Sequence, residues 1–241
     1  MSTLIFQIDI GKGTQWSSEE TIKVIRNIFI PSVKKYAKKF NYDYKLITES
    51  EYEKNGGDFL FLATREKHFS FERYFHIKEK YDQIVYIDND VYVVDKAQPL
   101  PTIKGLMNVR APESKSTYLF RDIHNLELTT KYYNAGVTFM DKDTGIHLQH
   151  YMLERMKNKK RAKGKNTDNF LLNEYILDYP EVFSEIGSEW NYMPFLPNSK
   201  RINNFNFFHF IGMPGKELLK TLLKQDIAPD VATEAFFEKN F

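Results

Sequence analysis

The chain has 241 residues, with 34 lysine and arginine residues against 32 aspartate and glutamate residues and a formal charge of +2. That balance gives no overall attraction to nucleic acid or to an anionic membrane. The absence of cysteine excludes disulfides, thiolate zinc sites and a cysteine nucleophile, and no apolar run reaches the roughly 18 residues of a membrane span.

The amino-terminal stretch MSTLIFQIDIGKG has no basic region, and Gln7 and Asp9 interrupt its apolar run, so it does not resemble a signal peptide. Together with the lack of cysteine, this leads us to expect a cytoplasmic protein. The sequence contains no internal repeat and no linker rich in proline, glycine or serine. We therefore predict a single domain over residues 1–241.

Three short apolar segments in the first ninety residues predict strands, at 3–9, 42–48 and 83–88. Segments with helical periodicity separate them, so strands and helices alternate. That order is typical of βαβ units and predicts an α/β fold with a mainly parallel sheet. Ligands of such sheets bind beyond the carboxyl ends of the strands. Asp9 and Asp88 are both predicted to lie at such ends.

Two helices are predicted between these strands. Ser17 and Glu20 can form a capping box ahead of the first, and Pro31 should kink or split it. The second is expected to run to about Lys80, and the apolar residues that predict the two helices are Ile22, Ile25, Phe29 and Val33, then Phe71, Tyr74, Phe75 and Ile77.

The second half of the chain is less regular. Residues 106–112, 135–141 and 205–212 predict strands, and residues 166–179 predict an amphipathic helix. The run 155–165 carries seven positive charges and no negative one. A solvated loop is our first interpretation of this run, and contact with donor phosphates, an anionic acceptor or a lipid headgroup is the alternative. Aromatic residues do not alternate with the charges, which argues against nucleic-acid binding.

Asp88 and Asp90 follow the third strand directly, in the stretch YIDNDVYV. Residues two apart on a strand point to the same face, so both carboxylates can converge on one ion. Mg²⁺ and Mn²⁺ prefer oxygen ligands and complete their coordination with phosphate oxygens and water. The pair therefore indicates a site for a metal diphosphate, and the alternative is a polar turn between two strands.

Four segments together resemble a known family. YIDNDVYV is similar to the Asp-x-Asp motif of GT-A glycosyltransferases, and YYNAGVTFMD (132–141) resembles the Asn-Ala-Gly segment of glycosyltransferase family 8. NTDNFLLN (166–173) resembles that family's Asp-Gln-Asp-x-Leu-Asn element, and HFIGMPGK (209–216) its late His-x-x-Gly element. The segments occur in the family's order, and Asp9 and Arg73 extend the likeness toward the amino terminus.

This resemblance implies a GT-A fold, in which helices flank a mainly parallel central sheet and a Rossmann-like nucleotide-binding half is joined to an acceptor half. It implies that Asp88, Asp90 and His209 bind Mn²⁺ or Mg²⁺. Taken by itself, His209 is more typical of a core or surface histidine on an aromatic strand than of a metal ligand.

The family likeness also assigns donor contacts. Asp9 and the backbone at Ile8 would contact the nucleoside, and Arg73, Asp88 and Asn89 would contact the nucleotide sugar. An Asx turn is the alternative for Asp9, and a solvated helix face is the alternative for Arg73.

Residues from the later motifs would surround the transferred sugar. Asn134, Ala135 and Gly136 would line its pocket, and Asp168 and Asn169 would bind it and take part in catalysis together with Asn134. Asn169 stands where the family has a glutamine, so the amide is kept on a shorter side chain. An ordinary acidic residue at a helix amino terminus is the alternative for Asp168.

Gly212 and Lys216 would contact the donor diphosphate in a glycine-bearing loop after His209. Lys216 is seven residues after His209, whereas the family places its lysine six residues after the histidine. The assignment of a diphosphate clamp to Lys216 rests on the loop adapting to this difference.

The function implied is transfer of a sugar from a nucleotide diphosphate, a UDP-hexose, to an acceptor hydroxyl, with retention of anomeric configuration. The sequence leaves open a front-side attack and a covalent intermediate. It leaves open whether the acceptor is a saccharide, a protein or a lipid. The alternatives are a metal-dependent nucleotidyltransferase or phosphohydrolase, which also uses paired acids, and a non-catalytic module that binds nucleotide sugar or nucleic acid.

Overall fold

We describe the fold from a computed structural model of the chain. The structure describes residues 1–10, 18–54, 72–74, 76–77, 80–157, 168–225 and 231. Within these residues the strands are β1 Thr3–Ile8, β2 Asp43–Ile47, β3 Gln83–Ile87, β4 Val91–Val93, β5 Leu106–Arg110, β6 Tyr133–Asp141, β7 Phe183–Ile186 and β8 Phe207–His209.

Six of these strands form one sheet in the order β2, β1, β3, β6, β5, β7, and β4 pairs with β8 in a second, two-stranded sheet. Strand β1 is parallel to β2 and β3, and β7 is parallel to β5. Strand β6 runs antiparallel to both of its neighbours, β3 and β5. The prediction of a mainly parallel sheet is confirmed, and β6 is the strand that departs from it.

The reversal of β6 decides what lies at the functional edge of the sheet. The carboxyl ends of β1 and β3 meet at one edge because these strands are parallel. The amino-terminal end of β6 reaches the same edge, with Val137 opposite Ile87. The Asn-Ala-Gly segment at the start of β6 is therefore placed beside the Asp-x-Asp segment after β3.

The helices are α1 Glu19–Val24, α2 Ile30–Lys39, α3 Glu51–Lys54, α4 Lys115–His124, α5 Lys142–Lys157, α6 Asp168–Asp178 and α7 Gly212–Gln225. A π-helical segment, Ile25–Phe29, joins α1 to α2. Pro31 follows it at the start of α2, so the α-helical register is interrupted near the proline, as expected. Ser18 caps α1 by accepting a hydrogen bond from the Thr21 amide at 3.2 Å. The predicted cap, Ser17, lies outside the described residues.

Strand β3 is apolar from Ile84 to Ile87 because both of its faces are covered. Ile84 and Tyr86 pack into one hydrophobic cluster, and Val85 and Ile87 pack into another on the opposite face. Burial on both faces is typical of the inner strands of a sheet with helices on each side. It also explains why the polar residues begin abruptly at Asp88.

Two predicted helices differ from the structure. Residues 170–176 of α6 are all buried, so the amphipathic character predicted for 166–179 is wrong. The polar residues that suggested an exposed face are paired inside the protein: Asn173 bonds the backbone of Tyr133, and Glu174 accepts a hydrogen bond from Arg155 at 2.7 Å.

The helix predicted to reach Lys80 is also wrong. Residues 72–74 form a single 3₁₀ turn and residues 76–77 are not helical, while Phe71 and Phe75 lie outside the described residues. Buried polar contacts hold this turn, since the Glu72 carboxylate accepts hydrogen bonds from the Ser50 hydroxyl at 2.5 Å and the Glu51 amide at 3.1 Å.

The region after His209 also differs from the prediction. Strand β8 ends at His209, and α7 begins at Gly212. The glycine-bearing loop expected over 209–216 is therefore mostly helix. The part of the basic run from 158 to 165 lies outside the described residues. None of the helices formed by the described residues combines the length and the apolar character that a membrane span needs.

Candidate active site

The strand order of the large sheet changes direction at β1. Strand β1 has β2 on one side and β3 on the other, and open α/β sheets bind ligands at such a switch point. The turn after β3 is fixed there from both sides. The Asp88 amide donates to the Gly136 carbonyl at 2.7 Å, and the Gln7 side chain donates to the Asp88 carbonyl at 3.2 Å. The Asn89 side chain donates to the Ile8 carbonyl at 3.2 Å.

The small sheet brings His209 to the two aspartates. Val91 of β4 lies opposite His209 of β8, and the Phe210 amide donates to the Asp90 carbonyl at 3.0 Å. The Nε2 atom of His209 lies 3.1 Å from an Asp90 carboxylate oxygen and 3.9 Å from an Asp88 carboxylate oxygen. One ligand atom from each of the three residues lies within 4.8 Å of the others. We refer to Asp88, Asp90 and His209 as the carboxylate-imidazole cluster.

The cluster fits a divalent cation. A Cβ atom at Gly136 would lie 2.2 Å from the His209 ring and 2.8 Å from an Asp88 carboxylate oxygen, so only glycine lets these groups approach. Two carboxylates and one imidazole make a ligand set that suits ions such as Mn²⁺ or Mg²⁺. The three residues could hold such an ion with positions left for a substrate.

The electrostatics of the cluster favour the addition of positive charge. Burial raises the pKa of Asp88 to about 6, Arg73 and His209 act against that rise, and the Asp90 carboxylate adds to it. Burial alone would lower the pKa of His209, but Asp90 and Asp88 outweigh it and raise that pKa above its ordinary value. Two close carboxylates repel each other, and a cation between them would relieve the repulsion.

Arg73 forms a second charged group beside the first. Its side chain is almost fully buried, and its guanidinium donates to Asp168 at 2.7 Å and to the Ala135 carbonyl at 2.5 Å. The guanidinium also lies 3.5 Å from the Asp88 carboxylate oxygen that does not face His209. It stacks on the Tyr86 ring at 3.8 Å from the ring centre. We call Arg73 and Asp168 the buried ion pair. The alternative of a solvated arginine is wrong, and Asp168, the first residue of α6, is held toward the site.

The start of β6 forms the wall between these two groups. Asn134 is buried, and its side-chain oxygen accepts hydrogen bonds from the Gly136 amide at 2.8 Å and from Asn191 at 2.9 Å. The side-chain oxygen of Asn169 accepts a hydrogen bond from the Ala135 amide at 2.8 Å. The structure thus brings all three residues of the Asn-Ala-Gly segment to the site, with Asn134 and Asn169 bonded to its backbone.

Asp9 lies at the end of β1, where its amide donates to the Ile47 carbonyl at 2.8 Å. Its carboxylate accepts hydrogen bonds from Arg26 of the π-helical segment at 2.7 and 3.3 Å. Gly212 and Lys216 are on the first turns of α7, and the side chain of Lys216 is outside the part of the chain that the structure describes.

Sequence reasoning missed three side chains of the site. The Tyr86 hydroxyl donates to Asp88 at 2.5 Å, Gln7 holds the turn after β3, and Asn191 lies 2.9 Å from the His209 ring nitrogen Nδ1. Tyr86 and Gln7 belong to apolar strands, and Asn191 follows a short 3₁₀ turn, Ser188–Trp190. The partners of Gln7 and Asn191 are remote in the sequence, so no local pattern distinguishes these two residues. Tyr86 lies two residues from Asp88, but a tyrosine in a buried strand is typical of a core residue.

Solved structures share this arrangement of strands and helices. A glycosyltransferase involved in glycosylation of the major capsid of PBCV-1 matches with a TM-score of 0.60 and 15% identity, over 91% of this chain and 100% of its own. The fold is of the GT-A type.

Two further GT-A structures match at similar levels. Galactosyltransferase LgtC, solved with donor and acceptor sugar analogs, has a TM-score of 0.56 and 16% identity, over 92% of this chain and 95% of its own. Mouse xyloside xylosyltransferase 1 has a TM-score of 0.52 and 12% identity, over 87% of this chain and 97% of its own. No protein-family model and no curated protein sequence matches the chain. At these identities the GT-A match establishes the fold alone.

Proposed function

We propose that the protein is a metal-dependent glycosyltransferase that moves a sugar from a nucleotide diphosphate, a UDP-hexose, to an acceptor hydroxyl with retention of configuration. The observation that carries the proposal is the convergence of Asp88, Asp90 and His209 at the switch point of a GT-A sheet. Galactosyltransferase and xylosyltransferase structures share this fold, which supports sugar transfer as the reaction.

Departure of the diphosphate is the step that needs electrostatic help. When a divalent cation is bound, it acts as a Lewis acid toward the negative charge that develops on the leaving phosphate. Asp88, Asp90 and His209 would hold the ion. Helix α7 begins three residues after His209, and the amide groups at a helix amino terminus favour phosphate. We assign Gly212 and Lys216 to the diphosphate on this basis.

The remaining donor contacts follow from positions around the switch point. Asp9 and the backbone at Ile8 stand at the end of β1 and would contact the nucleoside, with Asn89 bonded to Ile8 beside them. On the opposite side, the buried ion pair would face the sugar. Because Arg73 fixes one Asp168 oxygen, the carboxylate can accept hydrogen bonds from sugar hydroxyls without changing its rotamer.

A cavity of about 410 Å³ lies beyond the ends of β5 and β7 and offers a place for the acceptor. Its lining includes Arg110, Glu113, Ser188, Asn191 and Lys200. Hydroxyl, amide and charged groups of this kind form hydrogen bonds with the hydroxyl groups of a saccharide. Asn191 contacts His209, so the cavity adjoins the carboxylate-imidazole cluster.

The test is to incubate the protein with UDP-, GDP- and dTDP-sugars, with Mn²⁺ or with a chelator, and to follow thermal stability and nucleoside diphosphate release. A ligand at about one hundred times its Kd stabilises the folded state by about 2.7 kcal/mol, which is readily seen as a shift in Tm. We expect a UDP-sugar to give a Mn²⁺-dependent shift and slow release of UDP. NMR of the product anomer then tests retention.

Products distinguish this proposal from its rivals. A nucleotidyltransferase or phosphohydrolase attacks phosphorus and releases pyrophosphate or phosphate instead of an intact nucleoside diphosphate. A non-catalytic module keeps its ligand in chelator and loses it in salt. Absence of any Mn²⁺-dependent binding of a sugar nucleotide would overturn the proposal.

A further inference from the structure

Asn191 lies behind the carboxylate-imidazole cluster, on the side of the His209 ring that faces away from the aspartates. It is fully buried. Its side chain bridges two residues of the site, with the amide nitrogen 2.9 Å from the Asn134 side-chain oxygen and the amide oxygen 2.9 Å from Nδ1 of His209. Both polar ends of Asn191 are therefore committed to groups of the site.

The direction of these hydrogen bonds is fixed by the backbone. The Gly136 amide donates to the Asn134 side chain at 2.8 Å, and a backbone amide can only donate, so the Asn134 atom that receives it is the oxygen. That same oxygen faces Asn191, which must present its NH₂ group to it. The oxygen of Asn191 is then left for His209.

An amide oxygen only accepts hydrogen bonds, so Nδ1 of His209 must carry a hydrogen. In the neutral ring the other nitrogen, Nε2, then has a free lone pair, and Nε2 is the atom that faces Asp90 at 3.1 Å and Asp88 at 3.9 Å. The bonds from Gly136 through Asn134 and Asn191 thus favour the tautomer that a metal needs, against the preference of the Asp90 carboxylate for a hydrogen on Nε2.

We infer that Asn191 is a positioning residue that fixes the tautomer and the ring orientation of His209 for a divalent cation. The inference rests on the proposed function, because it assigns the cation to the carboxylate-imidazole cluster. Groups that bond the distal nitrogen of a ligating histidine commonly affect metal affinity by tenfold to a hundredfold.

Two substitutions separate positioning from structural support. Asn191→Leu removes the acceptor for Nδ1, and Asn191→Asp keeps an oxygen there while placing a carboxylate oxygen against the Asn134 oxygen. The matched control is Asn108→Leu, because Asn108 is also a buried amide that bonds β6, at Asn134, Val137 and Thr138, without contacting His209.

The first readout is the tautomer of His209 in the metal-free protein, from long-range ¹H–¹⁵N NMR spectra at alkaline pH with His209→Gln as the assignment reference. We expect the Nδ1-protonated form in the native protein, in Asn191→Asp and in Asn108→Leu, and loss of that form in Asn191→Leu. A role in packing alone would not change the tautomer.

The second readout is the Kd for Mn²⁺ by electron paramagnetic resonance, without donor or acceptor, because Asn191 also lines the cavity. We expect at least tenfold weaker binding in Asn191→Leu, with Asn191→Asp and Asn108→Leu within about threefold of the native protein. A native Nε2-protonated ring, an unchanged Asn191→Leu, or equal weakening in Asn108→Leu would overturn the inference. If the native protein bound no Mn²⁺, the metal-binding part of the proposed function would fail. The tautomer measurement would still show whether Asn191 fixes the His209 ring.

Discussion

Asp88 has two sides, and they are not alike. On one side Arg73 lies between Asp88 and Asp168, and its guanidinium donates to Asp168 and to the Ala135 carbonyl. On the other side Asp90 and His209 face Asp88, and the pKa values of both Asp88 and His209 are raised. The first side provides its own counter-charge, and the second has an excess of negative charge that a cation would neutralise. The buried ion pair makes one side of the site rigid. The excess negative charge on the other side favours the binding of a cation.

Asp90→Ala should give the largest effect, because it removes a proposed metal ligand from the side of Asp88 that has an excess of negative charge. We expect a fall in sugar transfer of about a thousandfold, or about 4 kcal/mol in the transition state, and loss of the Mn²⁺-dependent Tm shift. Steady-state kinetics and thermal melts measure the two. Asp95→Ala is the control, since Asp95 is an exposed residue just after β4. Equal Mn²⁺ affinity in both variants would remove Asp90 from the metal site.

Arg73→Met tests the side of Asp88 that contains the buried ion pair. Removal of the guanidinium leaves Asp168 without its partner in a buried setting, and breaking such a pair costs about 3 kcal/mol or more of unfolding free energy. Arg26→Gln breaks the partly exposed pair with Asp9 and should cost less than about 1 kcal/mol. Urea denaturation of both variants provides the comparison. Similar losses in the two would mean that burial does not distinguish these pairs.

Gly136→Ala tests the close packing of Gly136 against Asp88 and the His209 ring. The added methyl group meets the His209 ring and Asp88, so we expect about 1 to 3 kcal/mol of destabilisation and weaker Mn²⁺ binding. Gly145→Ala is a suitable comparison, because its nearest contact is a side-chain carbon of Ile77 at 3.2 Å. Calorimetry and Mn²⁺ titration test both. A Gly136→Ala protein that binds Mn²⁺ normally would show that the site is wider than the structure indicates.

The pH dependence of stability should give the smallest effect. The pKa of Asp88, about 6 in the folded protein, exceeds the value of about 3.9 for an unfolded chain, so the fold favours the protonated carboxyl. This contribution is complete below about pH 4 and is lost as pH rises through about 6. The raised pKa of His209 has the same sign and extends the loss to higher pH.

We expect the Asp88 part of this loss to be about 1 kcal/mol in chelator, since Asp88 remains partly exposed. Asp88→Asn should remove that part and leave the contribution of His209. Saturating Mn²⁺ should reverse the slope, because protons and metal compete for the same groups. Urea midpoints across this pH range measure both. Identical slopes for the native protein and Asp88→Asn in chelator would contradict the assigned pKa of Asp88.

Individual residues show how much of the fold could be predicted from the sequence. The uninterrupted apolar run before Asp88 predicted a buried strand and the abrupt start of the site, because a strand covered on both faces carries mostly apolar residues. The same reasoning failed for α6, whose Asn173 and Glu174 are polar but buried. Polar periodicity assumes that polar groups meet water, and these two meet the Tyr133 backbone and Arg155 instead.

The sequence by itself determined the alternation of strands and helices, the pair of acids at a strand end and, through its motifs, the resemblance that linked His209 to them. The tertiary structure alone decided that β6 is reversed and places Gly136 beside Asp88, that Arg73 is buried against Asp168, and that Asn191 bridges Asn134 and His209. The physical reason is distance along the chain. Periodicity records contacts among neighbours and the burial of a face, whereas a hydrogen bond between residues far apart leaves no pattern in either partner's surroundings.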